Sequence, residues 1–196
     1  MFPFRLPAVP AIAAALLALP ALAQTSEPTS TTATYGNWTV SCAMTVLATS
    51  DSKTPVKTCE MTTRLDLKGA DGQTRPLLQV AVGQPPGSET ARIVLQVPVD
   101  VALREPVVVS LDKGAAAEGS QQPAPQEPLL SASYLACSPG GCLADAALAA
   151  DLIGRLAGAK TANVTFTTLN AGKRVSIPVP MAGFGDAADA LGLARK

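Results

Sequence analysis

Alternation of apolar and polar residues runs along most of the chain and predicts a protein built mainly from β-strands. In VKTCEMTTRLDL, Cys59, Met61 and Leu65 fall on one face of a strand, while Glu60, Arg64 and Asp66 fall on the other. That is the pattern of an antiparallel sheet with one face in water. In TYGNWTVSCA, Trp38 shares a face with Val40 and Cys42, which predicts that the sole tryptophan is a core residue.

Further runs of this kind are separated by turn-forming residues and bring the prediction to about eight strands. The other six are RPLLQVAVG, ARIVLQVPV, EPVVVSLD, LLSASYLAC, TANVTFTTL and KRVSIPVP. Many short strands of this type favour an antiparallel β-sandwich or barrel.

Two segments of the C-terminal third have helical periodicity instead. The first follows Cys142, repeats its apolar residues mostly at steps of three and four, and places Asp145 in its first turn. Its apolar stripe consists of Leu143, Ala147, Leu148, Leu152, Ile153 and Leu156. The second is a short amphipathic helix marked by Phe184, Ala187, Ala188 and Leu191. The expected fold class is therefore mainly β with two short helices late in the chain.

Three stretches are predicted to lie outside the strands. AMTVLATSDSKTPVK is largely polar and is interpreted as an excursion that leads to Cys59. Gly114–Pro128 is punctuated by proline and glycine and predicts a flexible loop. Gln84–Thr90 is a second loop, and such loops are where partners usually attach.

The N-terminus has the form of a secretory signal. Arg5 precedes an apolar run from Ala8 to Leu19, and small residues precede a cleavage site expected between Ala23 and Gln24. The run is about 12 residues, short of the ~20 that a transmembrane helix needs. We therefore expect an exported protein, periplasmic or secreted, with no integral membrane span once the signal is removed.

The chain is predicted to consist of three parts. Residues 1–23 are the predicted signal peptide, and residues 24–34, rich in Thr, Ser and Pro, are a predicted disordered leader. Residues 35–193 then form one domain, a size that can bury a sizeable core. Lys plus Arg equals Asp plus Glu at 15 each, and this neutral balance argues against nucleic acid as a partner.

The four cysteines are interpreted as two disulfides, because export exposes them to an oxidising compartment. Four cysteines allow three pairings. The local one joins sequence neighbours, Cys42 with Cys59 and Cys137 with Cys142, and is the pairing we expect. Chain entropy assigns about 3 kcal/mol to the first bridge.

Candidate chemistry is sparse, because the chain contains no histidine. That removes the commonest general base and the commonest transition-metal ligand. CSPGGC could form a redox centre if the following helix acted on Cys142. A four-cysteine zinc site needs two close pairs, whereas Cys42 and Cys59 lie far apart in sequence. We therefore predict no catalytic residue, no cofactor and no metal.

Several motifs, taken in order, resemble the invasion-associated locus B family of exported alphaproteobacterial proteins. They are YGNWTVSC, CEM at Cys59–Met61, VPVDVALREPVVVSLD, CSPGGCLADAALAADLIGRLAGA and VSIPVPMAGFGDAADAL. The resemblance covers most of the chain from Tyr35 to Leu191. It implies a β-sandwich, immunoglobulin-like in broad architecture, with local disulfides, and some members are implicated in host-cell invasion.

Three function classes remain from the sequence. The leading hypothesis is a non-enzymatic binding or interaction protein of the bacterial cell envelope, whose partner is an envelope or surface protein or a small ligand. The second is a structural, envelope-maintenance protein. The third is an enzyme, either a thiol–disulfide oxidoreductase using Cys137 and Cys142 or a carboxylate-based hydrolase.

Overall fold

Ten antiparallel strands form one continuous sheet in the computed structural model, and two helices follow late in the chain. The structure describes residues 30–48, 53–69, 72–112, 126–170 and 172–193. The predicted signal peptide, residues 24–29 of the leader and residues 114–125 of the predicted flexible loop lie outside the described residues.

The strands and helices have the following bounds. The first five strands are β1 (Ser30–Tyr35), β2 (Trp38–Ala48), β3 (Lys53–Lys68), β4 (Thr74–Gly83) and β5 (Ala91–Val97). The other five are β6 (Val107–Asp112), β7 (Gln126–Ser138), β8 (Gly141–Leu148), β9 (Thr161–Thr167) and β10 (Arg174–Pro180). The helices are α1 (Ala150–Gly158) and α2 (Phe184–Ala190).

The strand order combines a meander with a Greek key. β1 to β5 pair in sequence order, and β6, β7 and β8 then return so that β8 lies beside β5. This return is the Greek-key connection found in most β-sandwiches. β9 and β10 complete the sheet next to β6.

β7 connects the two layers of the sandwich. Residues 126–132 pair with β6 and residues 133–138 pair with β8, with an irregularity in register between Tyr134 and Ala136. Side chains from both halves of the sheet line one small interior void; they include Trp38, Val80 and Ile93 of the first layer and Val109, Val164 and Val179 of the second. The sheet thus folds over on itself, which confirms the predicted mainly β, antiparallel sandwich.

Trp38 is the centre of this core and is almost fully buried. Its indole Nε1 donates a hydrogen bond to the carbonyl of Pro180 at 3.3 Å. Its ring meets Phe184 of α2 edge to face, with the centroids 5.0 Å apart. This is a favourable aromatic geometry, and the prediction of a core tryptophan is confirmed.

The helices pack on the sandwich, where α2 contacts β1 and β2 of the first layer. Ile153 and Leu156 of α1 are buried, and α1 packs against α2. Arg155, in the last turn of α1, pairs with Glu127 of β7 at 2.9 Å. The position of α2 at Phe184–Ala190 agrees with the predicted closing helix.

The predicted start of the first helix is wrong. Residues 141–148 form β8, which pairs with β5 on one side and β7 on the other, and the helix begins at Ala150. Asp145 therefore lies on a strand, and Asp151 is the acidic residue in the first helical turn. Tertiary pairing in the middle of a sheet overrides the helix propensity of this alanine-rich segment.

Three loop predictions are also corrected. β1 begins at Ser30, within the predicted disordered leader, because all of its residues pair with β2. The predicted polar excursion is a long hairpin in which β2 continues to Ala48 and β3 begins at Lys53. Gln126 to Pro128, placed in the predicted flexible loop, belong to β7.

Among the described residues, neither helix has the length and apolarity to cross a membrane.

Candidate ligand groove on the outer face of the first layer

An open groove with a volume of about 610 Å³ runs over the outer face of the layer formed by β1 to β5 and β8. Its floor is made of small residues, among them Ala43, Ala81 and Gly83. A Cβ added at Gly83 would come within 3.1 Å of the carbonyl oxygen of Cys59. Glycine at this position therefore leaves space above the strand backbone that a larger residue would occupy.

Strand register explains why these residues meet on one surface. Residues that oppose one another in antiparallel strands point to the same face. Thr32, Ser41, Glu60, Gly83 and Arg92 oppose one another in turn from β1 to β5.

A second row of opposed residues lies beside the first. It runs from Ala81 through Val94 to Asp145. The two rows together give a surface of small and polar side chains with charges at its β5 and β8 end.

An ion pair forms that charged end. Arg92 Nε donates to Asp145 Oδ2 at 2.6 Å, and Arg92 Nη2 donates to the same oxygen. The Asp145 side chain is only 10% exposed, while that of Arg92 is 42% exposed. Arg92 therefore offers part of its guanidinium to the groove while it neutralises a largely buried carboxylate. Glu60 is a third charged residue in the lining.

The Cys42–Cys59 disulfide braces this surface. The two residues oppose each other across β2 and β3, with their Cα atoms 4.0 Å apart, and both line the groove. A covalent link between adjacent strands fixes their register. Cys42 packs against the core, so the first predicted disulfide braces the strands of the groove floor from their other face.

The Cys137–Cys142 disulfide lies outside the groove. It joins β7 to β8 across the Pro-Gly-Gly turn, with Cys142 buried and Cys137 exposed. Cys142 belongs to a strand, so the helix dipole invoked for a redox centre is absent there. No cysteine within the described parts of the chain is free.

The Gln84–Thr90 loop borders the groove through Gln84 and Pro85. The loop is held by its own hydrogen bonds, because Gln84 Nε2 donates to the Ser88 carbonyl and Ser88 Oγ donates to the Thr90 carbonyl at 2.9 Å. Gly87 takes a positive φ of 78° at its tip. One of the two loops predicted to carry partners therefore lies beside the groove.

Tyr134 packs against the core and lies outside the groove lining. Its hydroxyl is buried, and within the described structure it has no hydrogen-bond partner. Burial raises the pKa of Tyr134 above its usual value of 10.0, because the charged form is desolvated. Among the described residues, no group of three or more His, Cys, Asp and Glu side chains has the arrangement of a metal site.

Sequence reasoning missed the groove itself. The sequence pattern predicts Arg92 only as part of a strand and Asp145 as part of a helix. No motif marks either residue, because their proximity depends on the pairing of β5 with β8. Once that pairing is known, the two opposite charges on neighbouring strands become recognisable as a pair.

Comparison with known proteins identifies a family model and a solved structure of similar fold. A family model described as "Invasion associated locus B (IalB) protein" matches residues 38–192. The crystal structure of invasion associated protein B from Bartonella henselae is similar in fold, with a TM-score of 0.58 at 20% sequence identity. The similar region covers 82% of this chain and 94% of that one. No curated protein matches the chain significantly.

Proposed function

Because the chain belongs to the invasion-associated locus B family, we propose that it is an exported, non-enzymatic interaction protein of the bacterial cell envelope. The observation that carries the proposal is the outer-face groove, a concave surface of ligand-binding size braced by a disulfide. A sheet face with small side chains admits an extended polypeptide or a small flat ligand close to the backbone.

The ligand's chemistry follows from the groove's lining. Small apolar side chains at Ala43, Ala81 and Val94 favour an uncharged ligand body. Arg92 offers a partly exposed donor group at the β5 end, and Glu60 offers an exposed acceptor group on the central strand β3. Polar groups of this kind fix orientation more than affinity.

Export to the periplasm or medium, with cleavage between Ala23 and Gln24, is part of the proposal. The two disulfides support it, since disulfides persist in oxidising compartments. The absence of histidine from the sequence supports a non-enzymatic role. The family's name and the Bartonella relative's title support an association with host interaction or invasion.

The experiment fills the groove and leaves the rest of the surface unchanged. Ala81→Trp places a large ring on the floor, whereas Ala136→Trp makes the same change on an exposed position of β7 that is not part of the lining. Both variants and the wild-type mature protein are immobilised, and partners captured from envelope extracts are quantified by mass spectrometry.

We expect Ala81→Trp to lose at least about ten-fold of specific capture, equivalent to ~1.4 kcal/mol, while Ala136→Trp retains it. Circular dichroism and thermal unfolding establish that both variants remain folded. Equal recovery of every partner by the two variants would assign binding to another surface and refute the groove as the binding site.

A structural, envelope-maintenance role is the second candidate, and the two disulfides that brace neighbouring strands favour it. It predicts that a deletion strain with a weakened envelope is rescued fully by Ala81→Trp. The interaction role predicts that this variant fails to rescue.

For the oxidoreductase alternative, thiol titration of the native protein is the discriminating measurement, and we expect no reactive thiol.

A further inference from the structure

The β2–β3 hairpin extends beyond the body of the sheet as a two-stranded arm, formed by residues 44–48 and 53–57. The described pairing of β1 with β2 ends at Ala43, and the pairing of β4 with β3 ends at Glu60. Beyond these rungs the two strands of the arm pair only with each other among the described residues. Both edges of the arm are therefore open in this part of the structure.

The arm is firmly attached to the domain. The Cys42–Cys59 disulfide lies at its root, two rungs before the pairing of Met44 with Lys57. Thr45 Oγ1 lies 2.6 Å from Thr58 Oγ1 and donates to the Val56 carbonyl at 3.2 Å. The register of the arm is thus fixed by covalent and hydrogen bonds.

The two edges of the arm differ in chemistry. The β3 edge carries Lys53, Pro55 and Lys57 at alternate positions. Lysine and proline on an edge strand are the features that prevent another strand from adding. The β2 edge, residues 44–48, contains neither a charged residue nor a proline.

The β2 edge also exposes apolar side chains. Met44 is 50% exposed and Val46 is 61% exposed, and both point to the same face of the strand. An open, uncharged strand edge with apolar side chains is a template for addition of another strand.

We propose that two copies of this chain associate through the β2 edges of their arms, which pair antiparallel about a twofold axis at Val46. In this register Val46 opposes its own copy and position 44 opposes position 48, so no like charges meet. The same pairing through the β3 edge would set Lys53 against Lys57, which is unfavourable. The β2 edge is therefore self-complementary, as an isologous interface requires.

The association is reversible and dependent on concentration. A pair of five-residue strands forms an interface well below the ~1,600 Å² of a standard stable complex. Disulfide trapping is the suitable test, because it captures a short-lived dimer and reports its register.

The test uses the mature chain beginning at Gln24 with a single added cysteine. Val46→Cys places two cysteines directly opposite each other, the arrangement already adopted by Cys42 and Cys59 with Cα atoms 4.0 Å apart. Met44→Cys is the matched control on the same strand, the same face and with similar exposure. Because position 44 opposes position 48, we expect its homodimer to crosslink at least about ten-fold more slowly under mild oxidation.

A second pair of variants tests the same interface without cysteine. Val46→Lys brings two positive charges together and should abolish the concentration dependence of the sedimentation coefficient. Thr54→Lys adds the same charge to the other strand of the arm and should leave the concentration dependence unchanged. Ala81→Trp should crosslink normally when combined with Val46→Cys, so the result is independent of ligand binding in the groove.

Equal crosslinking rates for Val46→Cys and Met44→Cys would overturn the proposed pairing, because they indicate random collision. Crosslinking of Val46→Cys that appears only after removal of residues 24–29 would also overturn it, by assigning the edge to that segment. Failure of Val46→Cys to crosslink at any concentration that the sedimentation series covers would refute it directly.

Discussion

Gly36 and Gly183 pack backbone against backbone, although they lie near opposite ends of the domain's sequence. Gly36 has a φ of 54° in the turn between β1 and β2, and Gly183 has a φ of 86° at the start of α2. The amide of Asn37 donates to the Ala182 carbonyl at 2.9 Å and ties the two turns together. A Cβ on Gly36 would overlap the Ala182 carbonyl, and one on Gly183 would overlap the Tyr35 carbonyl.

We therefore expect Gly36→Ala and Gly183→Ala each to lower the free energy of unfolding by about 3 kcal/mol or more, since backbone strain adds to a steric clash. Urea unfolding followed by the fluorescence of Trp38 measures this. Gly87→Ala is the matched control, because Gly87 also has a positive φ but has no heavy atom within 4 Å of an added Cβ. It should cost only ~1 kcal/mol, and equal losses at all three positions would show that the contact is unimportant.

The Arg92–Asp145 pair should contribute measurably to stability, because Asp145 is largely buried and its partner donates two hydrogen bonds. We expect Asp145→Asn to cost about 2 kcal/mol, the loss typical of hydrogen bonds to charged groups. Asp66→Asn provides the comparison, since the Arg64–Asp66 pair is exposed and should be worth ~0.5 kcal/mol or less. Similar losses for the two variants in urea would contradict the role assigned to burial.

The two disulfides should stabilise the protein unequally. Their sequence separations are 17 for Cys42–Cys59 and 5 for Cys137–Cys142. Loop entropy then gives about 3 kcal/mol for the first and ~2 kcal/mol for the second. Paired serine variants, compared by chemical unfolding, test this order, and a larger loss on removal of the shorter loop would reject the entropic account.

Tyr134 should make the protein lose stability at high pH. Burial raises the pKa of Tyr134 in the folded state above its value in the unfolded chain. As the pH rises, the unfolded chain therefore releases this proton first, and its free energy falls relative to that of the folded state. This contribution is complete below the unfolded pKa of about 10 and declines as the pH rises toward the folded pKa.

Tyr134→Phe should flatten that decline and also remove the buried hydroxyl that has no partner in the described structure. Removal of an unsatisfied buried hydroxyl should raise the free energy of unfolding by ~1 kcal/mol at neutral pH. Thermal unfolding between pH 8 and pH 11 gives both quantities. Tyr35→Phe is the control, and a pH dependence that is unchanged in Tyr134→Phe would remove Tyr134 as the cause.

Strands with one buried face were predictable from sequence, because burial imposes alternation. β4 and β5 show this directly, since Leu78, Val80 and Val82 alternate with less buried residues, as do Ile93 and Leu95. β8 was not predictable, because alanine and leucine occupy both faces. Leu143 and Ala147 are exposed while Ala144 and Leu148 are buried, so the sequence contains no alternation to detect.

Segments without core contacts were missed for a different reason. All but Tyr35 of the β1 residues are exposed, and the arm lies beyond the neighbouring strands. Their strand conformation depends on backbone pairing, which leaves little trace in a hydrophobic pattern. The groove shares this origin, because its lining residues are brought together only by the register of six strands.

The burial of Trp38 beneath Pro180 and Phe184 determines when folding can finish. A chain that emerges from a membrane channel with its N-terminus first has its tryptophan available early, but the groups that cover it arrive almost last. Contacts so distant in sequence are slow to form. Under the export proposed above, the domain would therefore remain open during most of its passage and close only when the final helix is released.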